Sequence, residues 1–366
     1  MAISPVTQMQ KHLHYCISMS DNIGLFQTER AWAQIRAEVF DLVDTWHQKG
    51  IAQNGGILLE LESELAKRFN RKYCVATANC TDALDLSLQS LKLPRNAKVA
   101  VSNYTFTATA HAIQRAGYYV VPVDVTDNYT IDVEKIANVD AVVPVDLFGN
   151  MSYWNGLNRL DIPLINDAAQ SLESSDRHGW SASKGLVSCL SFSPSKTISS
   201  WGSGGAILTD DEEIANQCRL LRLHGKSKND DISVGAGLNS MMSTMEVASV
   251  LVGLKYSQDW QDRRTRISEY IRSNCNLKCG NDDGLMHNTY HKLVFQSDHR
   301  DALVAKLNKE GIGAAVHYRQ TIKDEEIYKT KESFPNSDRL KAITFTLPNQ
   351  HTLTDAEVER IIKALK

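Results

Sequence analysis

Two stretches of sequence, in each of which an apolar run ends in polar residues, decide the fold. Residues 163–170 read PLINDAAQ, and residues 186–196 read LVSCLSFSPSK. Each apolar run predicts a buried strand, and each polar end carries groups that can do chemistry. In a parallel α/β sheet the carboxyl ends of neighbouring strands meet along one edge, where ligands bind. The sequence therefore predicts that Asp167 and Lys196 share one crevice.

Alternating strands and helices surround these two stretches. Seven runs predict strands, at Tyr73–Ala78, Lys98–Ser102, Tyr119–Val123, Ala141–Leu147, Pro163–Asp167, Leu186–Phe192 and Ala206–Thr209. Helical patterns lie between several of them, at Ala83–Leu91, Thr107–Arg115 and Glu212–Leu223. Such alternation is typical of a mostly parallel sheet that is covered by helices on both faces. We expect an α/β fold with a seven-stranded sheet in a large domain.

The segments on either side of this region differ from it. Apolar residues three and four apart predict an amphipathic helix over Thr28–Trp46, with Thr28 as its N-cap and Gly50 just past its end. After residue 255 the expected elements are Trp260–Ser273 (helix), Tyr290–Phe295 (strand), Asp301–Glu310 (helix), Ala314–Tyr318 (strand) and a helix from Asp355. We expect a helical N-terminal segment at 1–55, a large domain at 56–255 and a smaller α+β domain at 256–366.

The composition excludes several classes of protein. The 366 residues are 42% hydrophobic and 23% charged, which is typical of a globular protein and not of a disordered one. The net charge of −3 gives no electrostatic reason to bind nucleic acid or an anionic membrane. No apolar run approaches the ~20 residues that span a bilayer. Seven scattered cysteines without a CxxC pair predict no metal site and a location in the reducing cytoplasm.

A third strand end adds an anion site to the predicted crevice. The run Tyr73–Ala78 ends in NCTDAL at residues 79–84, where Thr81 could begin a helix whose N–H groups bind a phosphate. The residues near Lys196 match neither the GxxxxGK[ST] nor the GxGxxG pattern, so neither nucleotide-binding fingerprint is met. A lysine and an aspartate on neighbouring strands suit pyridoxal phosphate. The lysine forms the Schiff base, and the aspartate keeps the pyridine nitrogen protonated.

The same residues belong to a series of short motifs, and with them the sequence resembles the DegT/StrS family of sugar aminotransferases. These are pyridoxal-phosphate enzymes of fold type I, and the resemblance extends from about residue 54 to the end. Ten motifs carry it through their order and spacing: NCTDAL (79–84), NYTFTAT (103–109), PVDLFGN (144–150), NDAAQ (166–170), SFSPSK (191–196), GGA (204–206), LHG (223–225), GLN (237–239), GIG (311–313) and VHY (316–318).

The resemblance implies a role for each site residue. Lys196 forms the Schiff base, Asp167 pairs with the pyridinium nitrogen, Gln170 binds the phenolic oxygen and Phe106 stacks on the ring. The residues expected to hold the phosphate are Thr81, Asp82, Ser191 and, from the neighbouring subunit, Asn239. The last of these implies a homodimer with shared active sites. His317 and Tyr318 match a segment near the sugar-nucleotide pocket.

The implied reaction moves an amino group from L-glutamate to a nucleotide-linked keto sugar, such as a dTDP- or UDP-linked 3-keto or 4-keto 6-deoxyhexose. The product would be an amino sugar for a surface polysaccharide or a natural product. A sugar dehydratase on the same scaffold is an alternative, but dehydrating relatives carry His where this chain has Lys196. A non-catalytic regulator that binds the cofactor or a sugar is the other. The sequence leaves open the sugar, its nucleotide and the carbon that is aminated.

Three positions depart from the family pattern, and several residues have a structural alternative. Cys80 replaces a glycine, Asp146 a histidine and Met241 an arginine that would supply a fixed positive charge. Taken alone, Asp167 could be a helix cap, and Phe106 could be part of the core.

Overall fold

The computed structural model describes residues 22–226, 232–233, 235–281 and 284–366. The first 21 residues of the predicted N-terminal segment lie outside them. The helices are α1 (Thr28–His47), α2 (Gly56–Arg68), α3 (Cys80–Ser90), α4 (Ala108–Arg115), α5 (Trp154–Leu157), α6 (Glu212–Arg222), α7 (Thr244–Ser273), α8 (Arg300–Lys309), α9 (Pro335–Ile343) and α10 (Asp355–Leu365). The strands are β1 (Tyr73–Thr77), β2 (Lys98–Ser102), β3 (Tyr119–Val123), β4 (Ala141–Val143), β5 (Ile165–Asp167), β6 (Ser175–Asp176), β7 (Gly179–Trp180), β8 (Val187–Ser191), β9 (Gly205–Thr209), β10 (Lys278–Cys279), β11 (Leu293–Gln296) and β12 (Thr344–Leu347).

Seven strands form the large sheet, in the order β1-β9-β8-β5-β4-β2-β3. Strand β9 is antiparallel to both of its neighbours, whereas β5 pairs with β8, and β2 with β3 and β4, in parallel. Parallel bridges from Val142 to Leu164 and from Val145 to Asp167 join the two halves of the sheet. The prediction of a mostly parallel seven-stranded α/β sheet is therefore confirmed.

Side chains that alternate along the strands reach two separate layers of helices. Leu190 of β8 and Ala206 of β9 pack on one face, in a core to which α1, α2 and α7 contribute. Cys189 and Ile207, their neighbours in sequence, pack on the other face with α3, α4 and α6. This alternation is the two-residue period of a strand, and it covers both faces of the sheet with helices.

Helix α7 runs through the region where the sequence analysis places a domain boundary. It begins at a capping box formed by Ser243 and Glu246 and continues unbroken for 30 residues. The prediction of a helix at Trp260–Ser273 found only its second half, because residues 247–254 are buried on all sides and show no amphipathic period. The domain limits 1–55, 56–255 and 256–366 stay a prediction.

A small antiparallel sheet, β10-β11-β12, follows helix α7. Its core includes Phe295 and Phe345 from the sheet and Leu307 and Ile361 from the helices α8 and α10. The prediction of a strand at Ala314–Tyr318 is wrong, since among the described residues this segment forms a single bridge, from Ala315 to Thr346. Tyr318 instead turns toward the large sheet.

Other local predictions also need correction. Gln27, with a left-handed backbone, occupies the N-cap of α1 in place of Thr28, which is the first helical residue. Strand β4 ends at Val143 and not at Leu147, because the chain makes a tight turn at residues 147–149 with Phe148 at φ 64°. Strand β11 begins at Leu293 and not at Tyr290. Among the described residues no helix is both long and apolar enough to cross a bilayer.

Candidate active site

The predicted crevice lies at the carboxyl edge of the large sheet, where β5, β8 and β1 end. Asp167 is the last residue of β5, and Ser191 is the last residue of the adjacent β8. The loop that follows β8 carries Lys196, whose backbone N–H donates to the backbone carbonyl of Ser193 at 2.9 Å. Asp167 and Lys196 act on each other electrostatically, so the structure brings together the two residues that the sequence places in one crevice.

Asp167 is buried, and both of its carboxylate oxygens have partners. The hydroxyl of Thr109 donates to Oδ2 at 2.7 Å, and the N–H of Ala169 donates to Oδ1 at 3.1 Å. Burial raises the pKa of Asp167, and these two hydrogen bonds offset part of the rise. The Ala169 bond is the local turn expected of a capping aspartate, but the bond from Thr109 on α4 aims the carboxylate into the crevice.

The amine of Lys196 lies in surroundings that favour its uncharged form. Burial lowers the pKa of Lys196, while the nearby Cys80 and Asp167 act in the opposite direction. The lysine lines a cavity together with Trp260 and His291. A lysine with a lowered pKa in a cleft is a candidate for nucleophilic or base chemistry.

The helix start next to this pair is capped differently from the prediction. Asn79 is the N-cap of α3: its side chain accepts from the N–H of Asp82 at 2.8 Å and donates to the carboxylate of Asp82 at 3.0 Å. Thr81 lies inside the first turn, so the expectation that Thr81 opens the helix is wrong. The first-turn N–H groups of a helix point out of its end and favour an anion.

The backbone N–H and the carboxylate of Asp82 are already engaged in hydrogen bonds within the protein. Its N–H donates to Asn79, and Ser240 donates its hydroxyl to the carboxylate at 2.8 Å. The groups near the α3 terminus that remain suited to a phosphate are therefore the hydroxyls of Thr81 and Ser191. Gly205 permits this arrangement, because a Cβ at that position would lie 2.5 Å from the backbone carbon of Asn79.

Gln170 and Tyr318, which the resemblance places near the cofactor and the sugar, are in direct contact. The side-chain amide of Gln170 donates to the Tyr318 hydroxyl at 3.0 Å, and its oxygen accepts from the N–H of Phe148 at 3.1 Å. Nδ1 of His291 lies 3.0 Å from the same oxygen. Burial raises the pKa of Tyr318 to about 12, so its hydroxyl stays protonated.

His317 also lies close to the crevice. Its Nδ1 is 2.9 Å from the hydroxyl of Thr346. Burial, together with the charges of Lys292 and Lys196, lowers the pKa of His317 to about 3. His317 is therefore neutral at physiological pH and can take part in hydrogen bonds without carrying a charge.

The remaining predicted residues are exposed. The Phe106 side chain is 54% exposed, so it is not part of the core, and its ring centroid is 5.9 Å from that of Tyr318. Asn239 is exposed in a segment that pairs with Leu223, directly before Ser240. Both residues are accessible to a molecule that enters the crevice or to a second copy of the chain.

The three departures from the family pattern are accommodated inside the protein. Asp146 is buried and accepts from the Ser152 N–H at 2.7 Å and the Ser181 hydroxyl at 2.6 Å. Met241 is buried in the core beneath α7. Cys80 is the first residue of α3, and burial raises the pKa of its thiol. Asp146 is therefore held by hydrogen bonds inside the protein, and Met241 is part of the hydrophobic core.

Four residues of this region were not predicted from the sequence: Thr109, Arg264, His291 and Lys292. Thr109 lies in the motif NYTFTAT (103–109), but its contact with Asp167 depends on how α4 packs against β5. The signal for His291 and Lys292 was present, since two basic residues directly precede the apolar strand LVF (293–295). Arg264 is buried and lines the same cavity as Lys196.

These residues fit pyridoxal phosphate. The crevice offers a buried carboxylate for a ring nitrogen, a lysine with a lowered pKa and an exposed aromatic ring at its rim. Hydroxyls and a helix terminus for a phosphate lie on one side. Nε2 of His291 is buried without a hydrogen-bond partner among the described residues, as expected of a group that faces a ligand site.

Comparison with known proteins agrees with this geometry. A relative from Pseudomonas aeruginosa, UDP-2-acetamido-2-deoxy-3-oxo-D-glucuronate aminotransferase, is 29% identical over 349 residues, covering 90% of this chain and 97% of the relative. A second, named pleiotropic regulatory protein, from Geobacillus stearothermophilus, is 25% identical over 94% of this chain and 98% of its own length.

A solved structure shows that the fold is shared as well. The crystal structure of a DegT/DnrJ/EryC1/StrS aminotransferase from Brucella abortus superposes with a TM-score of 0.89 at 27% identity, covering 94% of this chain and 98% of that one. The sequence profile of the DegT/DnrJ/EryC1/StrS aminotransferase family matches residues 33–366. The chain belongs to the DegT/DnrJ/EryC1/StrS aminotransferase family.

Proposed function

We propose that this aminotransferase takes an amino group from L-glutamate and delivers it to a nucleotide-linked keto sugar, as a homodimer with shared active sites. The observation that carries the proposal is the convergence of Lys196, Asp167 and Gln170 at one edge of the sheet. The name of the Pseudomonas relative, a UDP-3-oxo-sugar aminotransferase, supports the class of acceptor. Bound pyridoxal phosphate supplies an electron sink that makes the Cα proton of an amine acidic.

Lys196 is the residue to which we assign the covalent bond with the cofactor and then the proton transfers. When not bonded to the cofactor, the amine of Lys196 would accept the proton from the donor Cα and would donate it to the carbon at the other end of the reacting C–N bond. A base must be uncharged to do this. Burial lowers the pKa of Lys196 and thereby increases the uncharged fraction at neutral pH.

Asp167 is assigned to the pyridine nitrogen. A carboxylate that is ionised and fixed keeps a proton on that nitrogen, which the electron sink requires. Thr109 and the N–H of Ala169 fix both oxygens, so the orientation of the carboxylate is set before anything binds. Gln170 donates one of its two amide hydrogens to Tyr318, and we assign the second to the phenolic oxygen of the cofactor.

The phosphate is assigned to the end of the crevice at which α3 begins. Thr81 and Ser191 supply hydroxyls there, and the helix terminus supplies N–H groups and a favourable dipole. Asn239, exposed in one subunit, is assigned to the phosphate of its partner's site. The exposed Phe106 ring would cover one face of the cofactor, and His317 and Tyr318 would contact the sugar.

Borohydride reduction tests the assignment of Lys196. Reduction of the cofactor-loaded protein followed by peptide mapping should place the mass of the reduced cofactor on the peptide that contains Lys196. The Lys196→Ala variant should carry no such mass and should form no 2-oxoglutarate from L-glutamate and a keto-sugar nucleotide. Turnover by Lys196→Ala at near wild-type rates would contradict the assignment.

The regulatory name of the Geobacillus relative defines the competing function. A protein that is labelled at Lys196 but forms no 2-oxoglutarate with any dTDP- or UDP-linked keto sugar would be a cofactor-binding regulator.

A further inference from the structure

Lys292 is a buried cation that the proposed reaction does not use. Its side chain is only 6% exposed, and its ammonium lies 4.4 Å from the centre of the Phe26 ring. Within the described part of the chain, no carboxylate forms an ion pair with it. A desolvated cation held only by an aromatic face is poorly compensated, which is typical of a site that awaits an anion.

Four other basic side chains interact electrostatically with Lys292 or with its neighbour His291. Together the five form a group that we call the basic cluster: Lys196, Arg264, His291, Lys292 and His317. The charges of Lys196 and Lys292 act on both histidines, and the charge of Arg264 acts on His291. Burial and the charge of Lys196 lower the pKa of Lys292 itself to about 7. Phe26, beneath Lys292, lines the cavity that reaches Lys196.

The acidic groups near the basic cluster are already engaged. Asp167 accepts from Thr109 and Ala169 and is assigned to the pyridine nitrogen. Glu173 influences Arg264, but it forms its own ion pair with Arg68 at 2.7 Å. Both histidines are neutral, so the cations of the cluster are Arg264 and protonated Lys292. Neither acid is left to pair with them on the side of the crevice where Gln170 meets Tyr318 and His291.

The position of the cluster restricts the anion that it can bind. The cofactor phosphate is assigned to the α3 terminus, at the end of another strand. The diphosphate of a nucleotide sugar is separated from the reacting keto carbon by the sugar ring. An α-carboxylate, in contrast, is bonded directly to the carbon that bears the exchanged amine, so it must lie close to Lys196. The side-chain carboxylate of glutamate is two methylene groups farther from that carbon, and a uronate sugar brings a further carboxylate on its ring.

We propose that Lys292, supported by His291 and Arg264, is the carboxylate-binding site of this enzyme and fixes a substrate carboxylate beside Lys196. This inference rests on the proposed function for the identity of the substrates. The carboxylate can come from the amino donor or from a uronate acceptor of the kind that the name of the Pseudomonas relative contains. Recognition is the same in both cases: a buried ammonium donates to carboxylate oxygens, a pairing stronger than a neutral hydrogen bond.

Equilibrium binding to the cofactor-loaded protein tests this site without requiring turnover. Calorimetric titration uses glutarate, a dicarboxylate without an amine, and the pair UDP-glucuronate and UDP-glucose. The two nucleotide sugars differ only at C6, which is a carboxylate in the first and a hydroxymethyl group in the second. Lys292→Met removes the charge and keeps the length of the side chain, and Lys292→Arg keeps the charge. Lys363→Met, at an exposed position, is the matched control.

If the donor carboxylate binds here, Lys292→Met should bind glutarate about 10- to 100-fold more weakly than the wild type, and Lys292→Arg should recover part of the loss. If a uronate binds here, the wild type should prefer UDP-glucuronate over UDP-glucose by a similar factor, and Lys292→Met should lose that preference. Either result supports a carboxylate site at Lys292.

Equal binding of all three probes by the wild type and by Lys292→Met would overturn the inference, as would a wild type that neither binds glutarate nor prefers UDP-glucuronate. If Lys292→Met does not fold, Lys292→Gln is titrated in its place with the same probes and the same expected results. A wild type that binds the carboxylates through Lys292 but never transfers an amine would refute only the proposed function.

Discussion

Replacing Thr109 with valine removes the hydroxyl that donates to Asp167 and leaves a side chain of the same shape. The hydroxyl is buried and lies 2.7 Å from Oδ2, with the carbonyl of Phe106 farther away at 3.3 Å. A hydrogen bond to a charged group contributes about 1.5–3 kcal/mol. Thr109→Val should therefore raise the pKa of Asp167 further, because the ionised carboxylate loses a donor that stabilises it.

The effect of this substitution should depend on pH. Burial raises the pKa of Asp167 above its value in the unfolded chain, so the ionised carboxylate costs stability at neutral and higher pH. Thr109 offsets part of that cost. Its removal should lower the free energy of unfolding by about 1.5–3 kcal/mol at pH 8 and by only about 0.5–1.5 kcal/mol where Asp167 is protonated.

Urea denaturation of the cofactor-free protein at pH 8 and at progressively lower pH measures this difference. Thr107→Val is the matched control, because the Thr107 hydroxyl contacts His111 at 3.1 Å and not Asp167. A Thr109→Val protein as stable as the control at pH 8, or a stability difference that does not shrink as the pH falls, would refute the assigned role of Thr109.

Three further predictions concern the scaffold. Burial lowers the pKa of His351 to about 3, so in this pH range the imidazole binds a proton only in the unfolded chain. Between pH 7 and pH 5.5 this proton uptake should lower the free energy of unfolding by about 1.3 kcal/mol. Glu62→Gln should lower the free energy of unfolding by about 3–5 kcal/mol, because it leaves the buried Arg222 without its ion pair. Gly205→Ala should displace the Asn79 cap at a cost of about 1–3 kcal/mol and weaken binding of the cofactor about tenfold or more, as fluorescence titration would show.

Each of these predictions has its own control or refuting result. The His351→Gln variant should lose less stability than the wild type between pH 7 and pH 5.5. An equal loss in both proteins would contradict the prediction for His351. Glu213→Gln, which breaks an exposed pair with Lys92, should change stability by less than about 1 kcal/mol, and an equal effect of both Glu→Gln variants would contradict the second. Gly24→Ala, where a Cβ meets its nearest neighbour at 3.7 Å, should bind the cofactor like the wild type.

The large sheet was predictable because its strands carry their signal locally. Strands β2 and β3 have the predicted limits, since each is a short apolar run between turn residues. Asp167 and Lys196 could be placed together for a related reason: parallel topology fixes which strand ends are neighbours.

What could not be predicted depends on contacts between distant segments. The first half of α7 is buried on every side, so its sequence lacks the period that identified its second half. The segment 314–318 is apolar enough for a strand, but Tyr318 turns away to Gln170, which is 148 residues distant in the chain. The prediction that α3 begins at Thr81 misses its cap, because the extended backbone and the side-chain bond that make Asn79 the N-cap appear only in the structure.

The basic cluster also depends on contacts between distant segments. Its members come from the loop after β8, from α7, from the two residues before β11 and from the segment before α9, so no single local pattern contains them all. Lys292 stands out only when its burial and its aromatic neighbour are known.

The visible absorption spectrum of the cofactor-loaded protein, recorded before and after the addition of L-glutamate, tests the central claim most directly. The account predicts a yellow protein whose visible band is lost with glutamate while the band of the aminated cofactor rises in the near ultraviolet. 2-Oxoglutarate should appear in equal amount. A protein that takes up no cofactor, or a yellow protein whose spectrum no amino donor changes, would contradict the claim that it is an aminotransferase.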